Sequence, residues 1–457
     1  MSSQWRTPRG FEGYFGMARA DITPPVGIYH RNWGASAHDT AEGIDQPLTL
    51  TVLTLQETPE AKPLVLAGAD LGWWRDPKDE GELRSAVLEA FSLDPSRFLL
   101  NFSHTHAGPV LCRDDADKPG GEHIPPYLDK LRETVVATIR EALSNRFAGT
   151  LDFAYGTCNL ATHRDLPHPD GSGRYLCGWN PDVPADNTLL LGQVGDSAGV
   201  VRGVLLNYAC HPTTLGAGNR LLSPDFVGSA RQHMEPEKIC LFLQGASGEL
   251  APRWQYSAEP TPVHAQGSEL GYATQAAHAR MLPPGQCMEI TGVVESGAPL
   301  AIWEAKPYQL PATLDARLTE VELPLKPEWQ SETEEERQWA ASGEPALLER
   351  LRRRRRIRIA LGGQPYAKIP LWTWRIGDTF LMATPTEAYS NLQTELRAAF
   401  PQTAIAVLDV TNGWWGYLPP ADTYTTDRYS VWQTPFAQGS LEILIAEAKR
   451  AIEDLTH

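Results

Sequence analysis

The chain has 457 residues, 42% hydrophobic and 21% charged, with a formal net charge of −16, which is apolar material enough for one large core or two moderate ones. The acidic balance works against a nucleic-acid backbone or an anionic membrane surface as main partner, and suits a neutral or cationic small molecule. No stretch approaches the roughly 20 apolar residues that cross a bilayer, the six cysteines have no C-x-x-C spacing, and the opening MSSQWRTPRGFEG has no apolar targeting core, so the expected setting is cytoplasmic with reduced thiols.

In chain order, QPLTLTVLTL and KPLVLAGADL read as strands, EGELRSAVLEAF as a helix, RFLLNFSH as a strand and IPPYLDKLRETVVATIREAL as a helix. NTLLLGQVGDSAGVVRGVLLNYA reads as two strands joined by a Gly-Asp-Ser-Ala-Gly turn, which makes the sheet mixed. The alternation predicts an α/β fold, a mixed β-sheet flanked by helices. From about 284 to 325 strands and prolines dominate, and one charged helix follows, SETEEERQWAASGEPALLERLRRRRRIRIAL. Residues 284–362 thus read as a subdomain or insertion within a single domain spanning 1–457. Arg352 to Arg356 follow acidic residues at helical spacing and read as a solvated helix face, not a nucleic-acid patch.

Polar residues recur at the ends of the apolar runs. RFLLNFSHTHAGPV places His104 and His106 on one strand face with Phe98, Leu100 and Phe102, since side chains at i and i+2 share a face. GVVRGVLLNYACHPTTL ends in His211, KICLFLQGASGELAPRW in a Gly-rich turn carrying Glu249, DTFLMATPTEAYSNLQTEL in Glu387, and AIAVLDVTNGWWGYLPP in Asn412 and Tyr417. Open α/β sheets bind ligands outside the carboxyl ends of their strands, so these segments are expected to aim His104, His106, His211, Glu249, Glu387 and Tyr417 at one crevice. Alone, a histidine reads as a hydrogen-bonded core residue and Glu387 as a helix cap; together, two histidines and a carboxylate are the ligand types of a catalytic zinc. Asp70 and Asp225 offer a second metal site, or plain strand-end and capping roles. Gly245-Ala246-Ser247-Gly248 lacks the spacing of a serine-hydrolase elbow, and HExxH and Walker motifs are absent.

ARADITPP, SHTHAGP, NYACHPT, SPDFVGSAR, FLQGASGELAP, PTEAY and NGWWGYLPPADTYTTDRY, in that order, resemble the catalytic domain of the neutral/alkaline, non-lysosomal ceramidases over nearly the whole chain. The resemblance implies a zinc-dependent amidase with the metal on His104, His211, Glu387 and Tyr417. It also implies supporting catalytic roles for His106, Arg164 and Tyr429. Zinc would lower the pKa of a bound water, Arg164 and Tyr429 would polarise the carbonyl with it, and His106 would carry a proton to the leaving group. The chain departs from the family at Ala251, where ceramidases carry a serine, and it shows neither a signal peptide nor the C-terminal immunoglobulin-like module. The expected substrate is therefore a small soluble N-acyl compound, with no stable membrane association and no nucleic-acid partner. The alternatives are a metal-assisted lyase or isomerase acting on a small polyol or sugar acid, and a non-catalytic binding protein on the same fold.

Overall fold

The computed structural model describes residues 9–235, 238–362 and 364–456, so most of the opening segment, residues 1–8, lies outside it. Eight strands form one mixed sheet: β1 (Arg9–Asp21), β2 (Thr49–Gln56), β3 (Leu64–Ala69), β4 (Phe98–Phe102), β5 (Phe147–Thr157), β6 (Thr188–Asp196), β7 (Val201–Tyr208) and β8 (Ile239–Gln244). Their order is β8-β7-β6-β5-β1-β2-β3-β4. The β3–β4 and β7–β8 pairs are parallel and the others antiparallel. The predicted hairpin is β6–β7, turned at Gly199, whose φ of +78° a β-carbon would strain.

Downstream, β9 (Gln286–Glu295) and β10 (Pro299–Pro307) pair only with each other. β11 (Leu314–Pro324), β12 (Tyr366–Ile376), β13 (Thr379–Ala383) and β14 (Ile405–Leu408) form a second sheet in that order, its last pair parallel. The helices are α1 (Pro77–Phe91), α2 (Ile124–Ser144), α3 (Phe226–Gln232), α4 (Thr261–His278), α5 (Glu334–Ser342), α6 (Pro345–Leu361), α7 (Asn391–Ala399), α8 (Tyr429–Gln433) and α9 (Ser440–Thr456). Among the described residues no helix is long and apolar enough to cross a membrane, and all six cysteines are free.

The period of two along each strand divides its residues between separate cores. Leu99 of β4, Leu205 of β7 and Leu241 of β8 meet Trp372, Leu381 and Leu408 of the second sheet in a layer between the two sheets. Phe98, Leu100 and Phe102 point the other way, into a core with Leu83, Leu128, Leu131 and Val135 of α1 and α2. The outer face of the second sheet is covered by Leu392, Leu444 and Ile445 of α7 and α9. The architecture is thus helix, sheet, sheet, helix. It is mixed α/β as expected, but one face of the large sheet is covered by another sheet where the sequence reading put helices. Leu99 has no exposed surface, so Leu99→Ala would open a cavity between the sheets at a cost of about 2–5 kcal/mol.

Two further expectations change. The single charged helix is two: Thr333 and Glu336 form a reciprocal cap at the start of α5, Gly343 ends it at φ +69°, and Pro345 starts α6. The arginine run is not a solvated face either. Arg354 is buried against Glu336 at 2.8 Å, Arg356 pairs with Asp115 at 2.9 Å, and Arg353 faces inward over Trp73 and Trp414.

Candidate metal centre

All the segments singled out lie beyond the carboxyl ends of strands, contributed by both sheets. β4 ends at Phe102, two residues before the first histidine. His104 and His106 therefore do not continue a strand face: Ser103 donates to Ala69 O, His104 to Leu71 O, and His104 takes a left-handed φ of +68°. That conformation costs a non-glycine residue of order 1–2 kcal/mol. It swings the buried imidazole back toward the mouth of β3, where Nδ1 meets Gly72 O at 3.1 Å.

His211, after β7, is fixed the same way: its Nδ1 lies 2.7 Å from Ser247 O and 3.1 Å from Leu250 O. In each ring a backbone carbonyl claims the Nδ1 proton, leaving Nε2 as the lone pair, the orientation a metal-binding histidine needs. The two Nε2 atoms converge on one oxygen, Glu387 Oε2, at 3.3 Å from His104 and 2.9 Å from His211. Trp414 Nε1 donates to the other oxygen at 2.6 Å. Glu387 sits in a two-residue parallel pairing with Tyr417 directly opposite. Gly248 makes this approach feasible, because a β-carbon there would fall 2.9 Å from Glu387 O.

The Tyr417 hydroxyl lies 3.5 Å from His211 Nε2 and accepts from Arg164 Nη2 at 3.1 Å. Four ligands about 2.0–2.1 Å from a tetrahedral zinc stand about 3.3 Å from one another, and these spacings bracket that edge. His104 Nε2 is buried without a hydrogen-bond partner, and acceptors facing acceptors are costly unless a cation lies among them. The donor set of His104, His211 and Glu387 therefore fits a metal ion, and two imidazoles with a carboxylate suit zinc.

Electrostatics keep His211 and Glu387 in ligand form. Burial, reinforced by Arg164, pushes His211 down to about 4, so its ring is neutral at pH 7. Burial opposes the charge of Glu387, but the two imidazoles outweigh it and hold the carboxyl well below its usual range. Burial and then the Glu387 charge hold the Tyr417 phenol well above its usual value, while Arg164 works in the opposite sense.

The remaining expected residues surround this centre. His106 lies between Trp33 and Trp73, at ring separations of 4.6 and 4.9 Å, and 5.2 Å from His104. Neither of its ring nitrogens has a partner, and burial, then the neighbouring histidines, keeps it neutral. Arg164 is anchored by a bond to Gly248 O at 2.7 Å. The Tyr429 ring packs 5.5 Å from Tyr417, and its hydroxyl accepts from Arg353 Nη1 at 2.9 Å.

Glu249, expected in the crevice, is elsewhere. It is buried with both oxygens accepting from Ser390 N, and burial pushes it up to about 7. Asp70 is held by Arg231 in a two-pronged pair at 2.6 Å, and Asp225 caps α3, so both take their structural roles. Ala251 is wholly buried, its carbonyl accepting from Thr162.

Sequence reading missed Arg353, Trp73 and Trp33. The signal available for α6 was periodic: Ala346, Glu349, Arg350 and Arg353 fall at i, i+3, i+4 and i+7 and line one cavity of about 230 Å³ with His106, Arg164, Tyr417 and Tyr429.

No protein-family model matches the chain. Its sequence is similar to the neutral ceramidase of Pseudomonas aeruginosa, 22% identical over 263 residues, which is 52% of this chain and 37% of that enzyme's length. In structure it is similar to a ceramidase complexed with C2, with a TM-score of 0.68 and 18% identity over 97% of this chain and 76% of that one. It is likewise similar to the crystal structure of the P. aeruginosa neutral ceramidase, with a TM-score of 0.67 and 18% identity over 97% of this chain and 75% of that one. The fold is the neutral-ceramidase fold, and the sequence likeness to that enzyme is distant.

Proposed function

We propose that this protein is a zinc-dependent hydrolase that cleaves the amide bond of a small, soluble N-acyl compound. The observation that carries the reading is the convergence of two Nε2 lone pairs on one carboxylate oxygen, at 2.9 and 3.3 Å, each imidazole held by a backbone carbonyl on its far side. Zinc held there supplies Lewis acidity and a water-derived nucleophile at neutral pH. Tyr417 is the fourth donor. Arg164 and Tyr429, on the open side, are placed to hold the carbonyl oxygen as it gains charge. His106, neutral and with both nitrogens free of protein partners, takes and returns the proton that the departing amine requires.

The cavity of about 230 Å³ lies below the roughly 300–1,000 Å³ of common ligand sites, which favours a compact substrate. The net charge of −16 works against nucleic-acid backbones and anionic membrane surfaces as partners, and among the described residues no helix is long and apolar enough to cross a membrane.

Metal analysis combined with hydrolysis in oxygen-18 water tests the reading. The expected result is close to one zinc per chain, activity lost to chelators and restored by zinc, and one solvent oxygen in the acid product. Turnover without solvent oxygen in the product would transfer the site to lyase or isomerase chemistry, and an active protein free of transition metal would remove the zinc centre altogether.

A further inference from the structure

The roof of the cavity is one face of α6, and its charges are organised unlike those of the rest of that helix. Outside the cavity, each arginine of α6 has a carboxylate partner: Arg352 pairs with Glu349 at 3.0 Å, Arg354 with Glu336 at 2.8 Å, Arg355 with Glu332, Arg356 with Asp115 at 2.9 Å and Arg358 with Glu336 at 2.5 Å. The two that line the cavity, Arg350 and Arg353, have none within 4.0 Å among the described residues. The one carboxylate on that face, Glu349, is taken up by Arg75 at 3.4 Å and Arg352.

Aromatic rings fix both guanidiniums. Arg350 lies 3.7 Å from the centroid of Trp432 and 5.2 Å from that of Trp339. Arg353 lies 5.8 Å from both Trp73 and Trp414, and one of its nitrogens donates to the Tyr429 hydroxyl. A guanidinium stacked on a ring, as Arg350 is on Trp432, keeps its N–H edges free for acceptors in its own plane, the arrangement that recognises planar oxyanions. With Arg164 also in its lining, the cavity carries three guanidiniums against one carboxylate, Glu349, in a chain of net charge −16.

We propose that Arg350 and Arg353 form a carboxylate receptor, and that the substrate is an anionic amide of the N-acyl amino acid class. This rests on the amide-hydrolase reading of the metal centre. The receptor lines one small cavity with His106 and Tyr417, which border the metal centre, so the carboxylate lies a few bonds from the amide it identifies. Hydrolysis then balances simply: the C–N bond breaks, the acyl carbon takes the oxygen of water, and the amine nitrogen takes a proton, with no oxidant or reductant. A planar carboxylate suits two guanidiniums of which one is already engaged by Tyr429.

The test compares N-acetyl amino acids with their own carboxamides, which keep the shape and lose the charge, on zinc-loaded protein. The best N-acetyl amino acid should exceed its carboxamide in kcat/KM by roughly 100-fold, the order expected when a charge-assisted contact is made or lost. That ratio should fall below about 10 in Arg350→Met, which keeps a chain to pack on Trp432, and recover in part in Arg350→Lys. Equal turnover of acids and carboxamides would overturn the receptor while leaving amide hydrolysis intact. If no amide is turned over, the hydrolase reading fails and calorimetric binding decides the receptor. N-acetyl amino acids binding at least tenfold tighter than carboxamides, with the difference lost in Arg350→Met, uphold it; equal binding overturns it. Inorganic phosphate competing more tightly than every N-acetyl amino acid would also overturn the carboxylate assignment.

Discussion

Glu387→Gln separates the charge of the proposed central ligand from its shape. Oε2 faces two imidazole lone pairs at 2.9 and 3.3 Å, and Oε1 accepts from Trp414. The amide keeps an acceptor for Trp414 and turns its NH2 toward the imidazoles, so the metal-free variant gains donors where acceptors met. Burial disfavours that carboxylate while the two imidazoles favour it, so a neutral amide of the same shape shifts the metal-free stability by no more than about 1–3 kcal/mol. Zinc at a free concentration of roughly 1,000 times Kd stabilises the native state by about 4 kcal/mol. At about 2.1 cal/mol/K per residue, 457 residues give an unfolding entropy near 1 kcal/mol/K, so each kcal/mol moves Tm by about 1 °C. Scanning calorimetry of chelator-stripped protein should show the wild type rising by about 4 °C with zinc. The variant should start within about 3 °C of the metal-free wild type and ignore the metal. A variant that melts well below the metal-free wild type, or keeps the full zinc shift, would show that Glu387 is a structural residue and refute the centre.

The two neighbouring histidines should fail differently: His104→Ala loses zinc and activity together, whereas His106→Ala keeps most of its zinc and loses roughly 10²–10⁴ in rate, and equal zinc loss by metal analysis would contradict the assignment. Glu249 is raised to about 7 from 4.5, so the native state holds a proton that the unfolded chain has released between those values. Stability from this group is thus greatest below pH 4.5 and declines by about 3 kcal/mol as pH rises to 7. Glu249→Gln should flatten that limb of the Tm–pH profile, and an unchanged slope would count against it. Short soluble N-acyl compounds should be turned over far better than long-chain ceramide in a detergent-matched assay, and comparable kcat/KM for C16 ceramide would contradict the small cavity.

Which strands end at the site was legible because each apolar run stops at a histidine, a glutamate or a Gly-rich turn. What covers those strands was not. Leu99 and Leu100 face different cores, one against a sheet and one against helices, yet both are simply apolar in the sequence, and burial on both faces erases the alternation that would distinguish them. Glu249 was misplaced because a carboxylate in a turn reads the same whether it faces a metal or accepts from Ser390. The left-handed turn at His104 leaves no mark, since its carbonyl partners belong to residues 71 and 72. Arg353 was hidden by its neighbours: five consecutive arginines look uniform, and only the helical spacing to Arg350 and Ala346 marks the inward one.

The proposed metal centre would also clamp the two sheets together. His104 and His211 extend from strands of the large sheet, Glu387 and Tyr417 from strands of the small one. The ligand spacings therefore depend on how the sheets stack, which apolar contact alone fixes only loosely. Asparagines supply the register at this end. Asn101 of β4 donates to Asp409 O at 2.6 Å and accepts from Gln244 N at 2.8 Å; Asn412 accepts from Leu100 N and donates to Phe98 O; Asn207 of β7 donates to Val407 O at 2.9 Å. Each is a buried polar group with at least one bond that forms only when the sheets are aligned. Directional bonds thus hold the ligands to within the few tenths of an ångström that a metal requires, and the apolar layer behind them supplies the bulk of the stability.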